Sequence, residues 1–182
     1  MTERSPPRPA RGRDGLVVAV TGYTCSGKSE FAKLLQSKGF RRISLGDLTR
    51  AAARRLGRPI RRHETWALFK SLAEKDPAWR VPKVLEALAS GPGGNVVIDG
   101  IRTREEAEGL RGALGSRLWL VEVRVSEAVR LRRAMARRRD VDPTTWDRAA
   151  LRRWRAMDRE EVRMIDRVRP LVEAVVRGDE AP

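Results

Sequence analysis

The sequence predicts a three-layer α/β domain built on a mainly parallel sheet of about five strands and carrying a helical lid. Three observations predict it. Short apolar runs rich in β-branched residues alternate with stretches of helical period, a glycine-rich loop stands between the first run and the first helical stretch, and acidic residues follow two later runs. At 182 residues the chain fits one domain that buries its core without disulfides or metals.

The elements follow in order. Leu16-Val17-Val18-Ala19-Val20 has the composition of a buried parallel strand, and Glu30 to Leu35 continues at helical spacing. Phe40 to Leu45 predicts a second strand closed by Gly46-Asp47, which puts Asp47 at that strand's carboxyl end. A helical stretch runs from Leu48 to Leu56, where Gly57 and Pro59 break it. His63–Lys75 and Pro77–Ala89 predict two more helices, with Trp66, Leu68, Phe69 and Leu72 on one face. After the turn Gly91-Pro92-Gly93-Gly94, Val96-Val97-Ile98 predicts a third strand followed by Asp99. Arg102–Leu114 predicts a helix, and Leu118–Val125 a fourth strand rich in β-branched residues. Helices over Glu127–Arg138 and Trp146–Arg163 flank a polar hinge at Asp140–Thr145. Leu171–Val176 fits either a fifth strand or a terminal helix.

The loop between the first strand and helix reads Gly22-Tyr23-Thr24-Cys25-Ser26-Gly27-Lys28-Ser29, a full match to the phosphate-binding pattern G-x-x-x-x-G-K-[ST]. Such a loop aims backbone N–H groups and a helix N-terminus at one spot, where polyphosphate charge is stabilised. Gly22 and Gly27 allow backbone angles and close approach that a Cβ would block. Thr24, Cys25 and Ser26 line the cradle, Lys28 reaches the β- and γ-phosphates, and the Ser29 hydroxyl is placed to ligate Mg²⁺. Val96-Val97-Ile98-Asp99 has the form of an apolar strand ending in a carboxylate that holds Mg²⁺ opposite that hydroxyl, so Ser29 and Asp99 are the expected metal residues. In parallel sheets ligands bind beyond the strands' carboxyl ends, and Asp47, Asp99, Arg102 and the loop all fall there.

Composition narrows the setting. Met1–Asp14 combines Pro6, Pro7 and Pro9 with several arginines and no apolar period, which predicts a disordered leader without a secretory h-region; residues 15–182 form the domain. No 18-residue apolar stretch exists, and a single cysteine, Cys25, excludes an intramolecular disulfide framework, so a reduced cytoplasmic setting is expected. The net charge is +15. Such a chain attracts polyanions, so weak nucleic-acid binding is a second expectation, although much of the arginine lies on helices interleaved with Glu and Asp and reads as solvated face. His63, the one histidine, has no metal-ligand cluster around it. Cys25 reads as a spacer in the loop, and Trp66, Trp79 and Trp146 as packing residues.

Together with the loop, Ser44-Leu45-Gly46-Asp47-Leu48-Thr49-Arg50, Ile98-Asp99-Gly100-Ile101-Arg102 and Arg137-Arg138-Arg139-Asp140-Val141-Asp142-Pro143-Thr144-Thr145-Trp146 resemble segments of the P-loop nucleotide-kinase superfamily. Small adenylate-kinase-like and dephospho-CoA-kinase-like proteins are the nearest in kind, and the likeness runs from about Leu16 to Glu161. The resemblance implies a P-loop NTPase fold and an ATP- and Mg²⁺-dependent transfer of the γ-phosphoryl group to a nucleoside monophosphate or to dephospho-CoA. The alternative is a P-loop ATPase that binds nucleic acid through its basic surface. It also implies an acceptor-binding insert over about residues 47–90, with Asp47, Arg50, Gly100 and Arg102 at the acceptor, and a lid over about residues 133–150. From the lid Arg133, Arg137 and Arg139 would close on the ATP phosphates; Lys28, Asp47, Arg102, Arg137 and Arg139 make up the implied catalytic set. Asp47 would take the proton of a hydroxyl acceptor, or only position a phosphate acceptor. The chain departs from the pattern after Glu161, where Val162–Pro182 leaves little room for a fifth strand and a closing helix.

Overall fold

The computed structural model describes residues 15–136 and 145–178. Strands β1 (Val17–Thr21), β2 (Arg41–Ser44), β3 (Val96–Ile101), β4 (Leu118–Arg124) and β5 (Ala174–Arg177) form one sheet in the order β2-β3-β1-β4-β5. Every adjacent pair is parallel. Helices α1 (Lys28–Ser37), α2 (Leu45–Arg55), α3 (Arg62–Lys75), α4 (Val81–Ser90), α5 (Arg104–Leu114), α6 (Glu127–Ala136) and α7 (Arg148–Val168) complete the described fold. The predicted P-loop α/β architecture is the one observed.

Side-chain alternation along the strands divides the core between the two sheet faces. Val17, Ala19, Val96, Ile98, Leu118 and Leu120 point to one side, where Leu45, Val81, Val84, Ala107 and Leu110 cover them from α2, α4 and α5. Val18, Val20, Val97, Val121 and Val123 point to the other and pack on Ala32, Phe31 and Leu35 of α1. Trp66, Phe69 and Ala73 of α3 form a third cluster against Met157 and Met164 of α7, docking the α2–α4 segment onto the last helix.

Buried ion pairs tie these layers where apolar contact alone does not. Arg80, fully buried ahead of α4, holds Glu106 of α5 through two bonds, Nε to Oε1 at 2.6 Å and Nη2 to Oε2 at 2.8 Å. Glu106 also completes a capping box with Thr103 at the start of α5. Arg130 of α6 pairs with buried Asp158 of α7, with Nη2 to Oδ2 at 2.9 Å.

Three expectations change in detail. Asp47 does not end a strand: β2 stops at Ser44, whose hydroxyl caps α2, and Asp47 sits in that helix's first turn. β3 does not stop before Asp99 but continues through Ile101, because Ser44 and Val20 stay in register with Asp99 on either side. Leu171–Val176 divides between a 3-10 turn and β5, so the fifth strand is present after a helix α7 that reaches Val168. Arg137, Arg139 and most of the segment between α6 and α7 lie outside the described residues, as do Met1–Asp14.

Candidate functional site

The site begins where β1 ends. Gly22 has φ +135°, and a Cβ there would come within 2.3 Å of the Val123 carbonyl oxygen, so only glycine lets the loop leave the sheet this way. Gly27, at φ +103°, caps α1 without offering a side-chain acceptor, which leaves the first amides of the helix to an anion. Cys25 also takes a positive φ, 62°, inside the turn. Lys28 Nζ donates to the carbonyls of Gly22 and Tyr23, the latter at 2.6 Å, so the ammonium lies over the mouth of the loop. Burial pushes the Lys28 pKa down, against the charge of Glu161, which pushes it up.

Parallel register brings together the two residues expected to bind a metal. Ser29 Oγ donates to Asp99 Oδ2 at 3.1 Å, and Arg42 of β2 pairs with the same carboxylate oxygen. One hydroxyl and one carboxylate, beside a cradle for phosphates, form the hard-oxygen set that suits Mg²⁺, which keeps several waters and takes few protein ligands. The donor set therefore fits the ion the sequence implies.

A cleft of about 790 Å³ opens from this corner. On the phosphate-loop side it is lined by Thr24, Cys25, Gly27, Lys28 and Ser29, with Arg133 and Asp99 also in its lining. Asp47, Arg50, Arg62, Trp66, Gly100 and Arg102 line the same cleft. The described predicted residues thus share one cavity wall, except Gly22 and Ser26, which stand behind the loop surface. Arg133 reaches the loop from α6, donating to Ser26 O at 3.2 Å and to Gly178 O at 2.7 Å. Asp47 is largely exposed and carries a bond from Arg50 Nη2 at 2.5 Å. Burial would raise its pKa, but Arg50, the Ser44 hydroxyl and Arg42 together hold it below the usual carboxylate range.

Arg102 leaves β3 just after Ile101 and lies over the rings of Trp66 and Phe69, at 5.4 and 5.3 Å from their centroids. Burial lowers its pKa, and Glu161 and Glu106 oppose that. Trp66 is a packing residue, stacked on Phe69 at 5.5 Å, and its Nε1 donates to Glu160 at 3.1 Å. His63 is exposed beside Glu64, away from any metal-ligand set. Among the described residues no group of three His, Cys, Asp or Glu could hold a metal ion.

Sequence reasoning missed Glu161. This buried carboxylate of α7 accepts the Thr24 amide at 2.7 Å and Arg102 Nε at 3.3 Å, joining the phosphate loop to another part of the cleft lining. Burial would raise its pKa; Arg102, Lys28 and the Thr24 amide outweigh that and hold it at about 2. A signal was available in the sequence. Ala150, Trp154, Asp158, Glu161, Ile165 and Val168 share one helical face, and an acid on an otherwise apolar stripe must have a buried partner. Arg42 was missed too, since an arginine in a short strand reads as an exposed edge residue.

Residues 18–166 match the family model described as an AAA domain. A UPF0200 protein from Pyrobaculum aerophilum is 38% identical over 138 residues, covering 75% of this chain and 74% of the relative. The chain belongs to the AAA domain family and to the UPF0200 proteins. A second UPF0200 protein, from Thermococcus kodakarensis, is 31% identical over 147 residues, covering 78% and 79% of the two chains. Among solved structures, shikimate kinase from Acinetobacter baumannii superposes with a TM-score of 0.57 at 16% identity, over 91% of this chain and 85% of that one. A sugar kinase from Janibacter gives 0.53 at 16% identity, over 92% and 87%. These two show the fold, a P-loop kinase-like one, and the AAA match supports nucleotide binding by the UPF0200 chain.

Proposed function

We propose that this UPF0200 protein is an ATP- and Mg²⁺-dependent phosphotransferase that moves the γ-phosphoryl group to a nucleotide or nucleotide-like acceptor. The observation that carries the reading is that one cleft is lined both by Lys28, Ser29 and Asp99 and by Asp47, Arg50 and Arg102, since a hydrolase needs a donor site but not these further arginines beside it. Loop amides and Lys28 would hold the β- and γ-phosphates, and Arg133 and Arg102 would balance charge as the phosphoryl group moves. Arg137 and Arg139, outside the described residues, would add to this from the lid. Mg²⁺, held through Ser29 and Asp99, would supply charge neutralisation at the transferring group. Among the described residues no helix is long and apolar enough to cross a membrane, and we place the enzyme in the cytoplasm, as a single domain over residues 15–182 with an acceptor insert over about 47–90.

One observation favours a second reading, an ATPase that binds nucleic acid. Arg148, Arg152, Arg155, Arg159 and Arg163 are exposed on α7 at intervals of three or four residues, a spacing that stacks them along one helix face. ADP formation from Mg·ATP, followed with each nucleoside monophosphate, with dephospho-CoA, with nucleic acid and with no acceptor, separates the two. Turnover that rises with a small acceptor supports the phosphotransferase; turnover that appears only with nucleic acid overturns it.

A further inference from the structure

Glu161 is a buried carboxylate at the phosphate loop, and the reaction as outlined above gives it no part. Its two oxygens face two different substrates' sites. Oε2 takes the Thr24 amide, in the loop that cradles the donor phosphates, and Oε1 takes Arg102, in the lobe for the acceptor. Of the carboxylates whose charge bears on Lys28, Glu161 ranks first and Asp99 second. Asp99 pairs with Ser29 in the set that would hold Mg²⁺. Asp47, the carboxylate that the resemblance puts against the acceptor, stands out in solvent with Arg50 on it.

Building on the phosphotransferase reading, we propose that Glu161 is a catalytic residue that receives the proton of the attacking group, and that the acceptor accordingly presents a neutral hydroxyl rather than a phosphate. The hydroxyl oxygen forms its bond to the γ-phosphorus as the bond to the β–γ bridging oxygen breaks. The bridging electron pair leaves with ADP, and the hydroxyl proton passes to the Glu161 carboxylate. A loose transition state loses that proton late, so a weakly basic carboxylate suffices. An attacking phosphate needs no base and would bring its own negative charge against a buried one. Arg102, the cation placed to relieve such a clash, already shares its charge with Glu161 and has its backbone N–H on Glu106. A hydroxyl meets no such penalty and gains a hydrogen-bond acceptor.

The test uses the full-length protein with Mg·ATP and three probes: water, dephospho-CoA and AMP. The wild type is expected to transfer to the dephospho-CoA hydroxyl faster than to the AMP phosphate, with water as the hydrolysis control. Glu161→Gln, which keeps an oxygen for the Thr24 amide, is expected to lower that transfer by about 100-fold or more, with the Mg·ATP Kd from calorimetry changed by less than about tenfold. Glu161→Asp should recover part of the rate, which a merely structural role would not require. Faster transfer to AMP by the wild type, or hydroxyl transfer within about threefold of wild type in Glu161→Gln, overturns the assignment and leaves phosphotransfer standing. Transfer to neither dephospho-CoA nor AMP, whether or not ATP is hydrolysed by water, overturns phosphotransfer itself. The acceptor preference of the wild type is informative even where a variant folds poorly.

Discussion

Replacing Arg80 with methionine should both destabilise the fold and loosen the acceptor side of the cleft. Arg80 and Glu106 are completely buried, joined by bonds of 2.6 and 2.8 Å, and Arg80 also donates to the Leu45 carbonyl at 3.3 Å and covers the Phe69 ring at 4.6 Å. Methionine fills much of the volume but leaves the Glu106 carboxylate with backbone amides alone, those of Arg102 and Thr103. Removing one member of a buried pair costs about 3–5 kcal/mol, because the survivor stays charged and desolvated. For a domain of this size that lowers Tm by roughly 6–20 °C. Adding Glu106→Gln removes the stranded charge, so the double variant should recover at least about half of the loss. The assay is thermal and urea unfolding of the three variants in a double-mutant cycle, with acceptor KM measured alongside. Because Glu106 also fixes the Arg102 backbone, Arg80→Met should raise acceptor KM more than it weakens Mg·ATP binding. A loss below about 1 kcal/mol, or a double variant as unstable as the sum of the single ones, would refute the reasoning.

Three other outcomes follow from the same geometry. Lys28→Ala should reduce phosphoryl transfer by about 10³-fold or more while circular dichroism keeps the wild-type fold, since its side chain bonds only to two loop carbonyls and belongs to neither apolar cluster on the sheet. Asp99→Asn should raise the Mg²⁺ concentration needed for half-maximal rate by about tenfold or more, and an unchanged Mg²⁺ titration would count against Asp99 as a metal residue. Glu161, held at about 2 in the fold against an ordinary value of 4.5, binds its proton more readily when unfolded. Its stabilisation is therefore complete above about pH 4.5 and lost as pH falls towards 2, on the order of 3 kcal/mol in all. Urea midpoints of the wild type should fall more steeply than those of Glu161→Gln across that window.

The phosphate-loop side of the cleft was legible in the sequence because its parts are local. Gly22 to Ser29 specify a turn within eight residues, and Asp99 is found by the apolar run that precedes it, so the pairing of Ser29 with Asp99 needed only the parallel register of β1 and β3. Strand and helix order followed from apolar period, and errors were confined to ends: Asp47 fell three residues past its strand because Ser44 serves as a helix cap. What the sequence hid depends on long-range packing. Glu161 lies 137 residues from Thr24, in a helix whose arginines mask the buried stripe, and only the packing of α7 against α3 and α5 brings the two together. Arg42 reached Asp99 through strand pairing that places Ser44 opposite that acid, which no local pattern announces.

The central claim is that one cleft passes the γ-phosphoryl group from ATP bound at the loop to an acceptor in the same cleft. A single-turnover experiment with ATP labelled in the γ-phosphate, protein in excess, Mg²⁺ and each small acceptor in turn tests it directly. The label is predicted to move to a small acceptor in the wild type and to remain in ATP with Lys28→Ala. Label that stays in ATP in the wild type with every small acceptor, and leaves as inorganic phosphate only when nucleic acid is added, would contradict it.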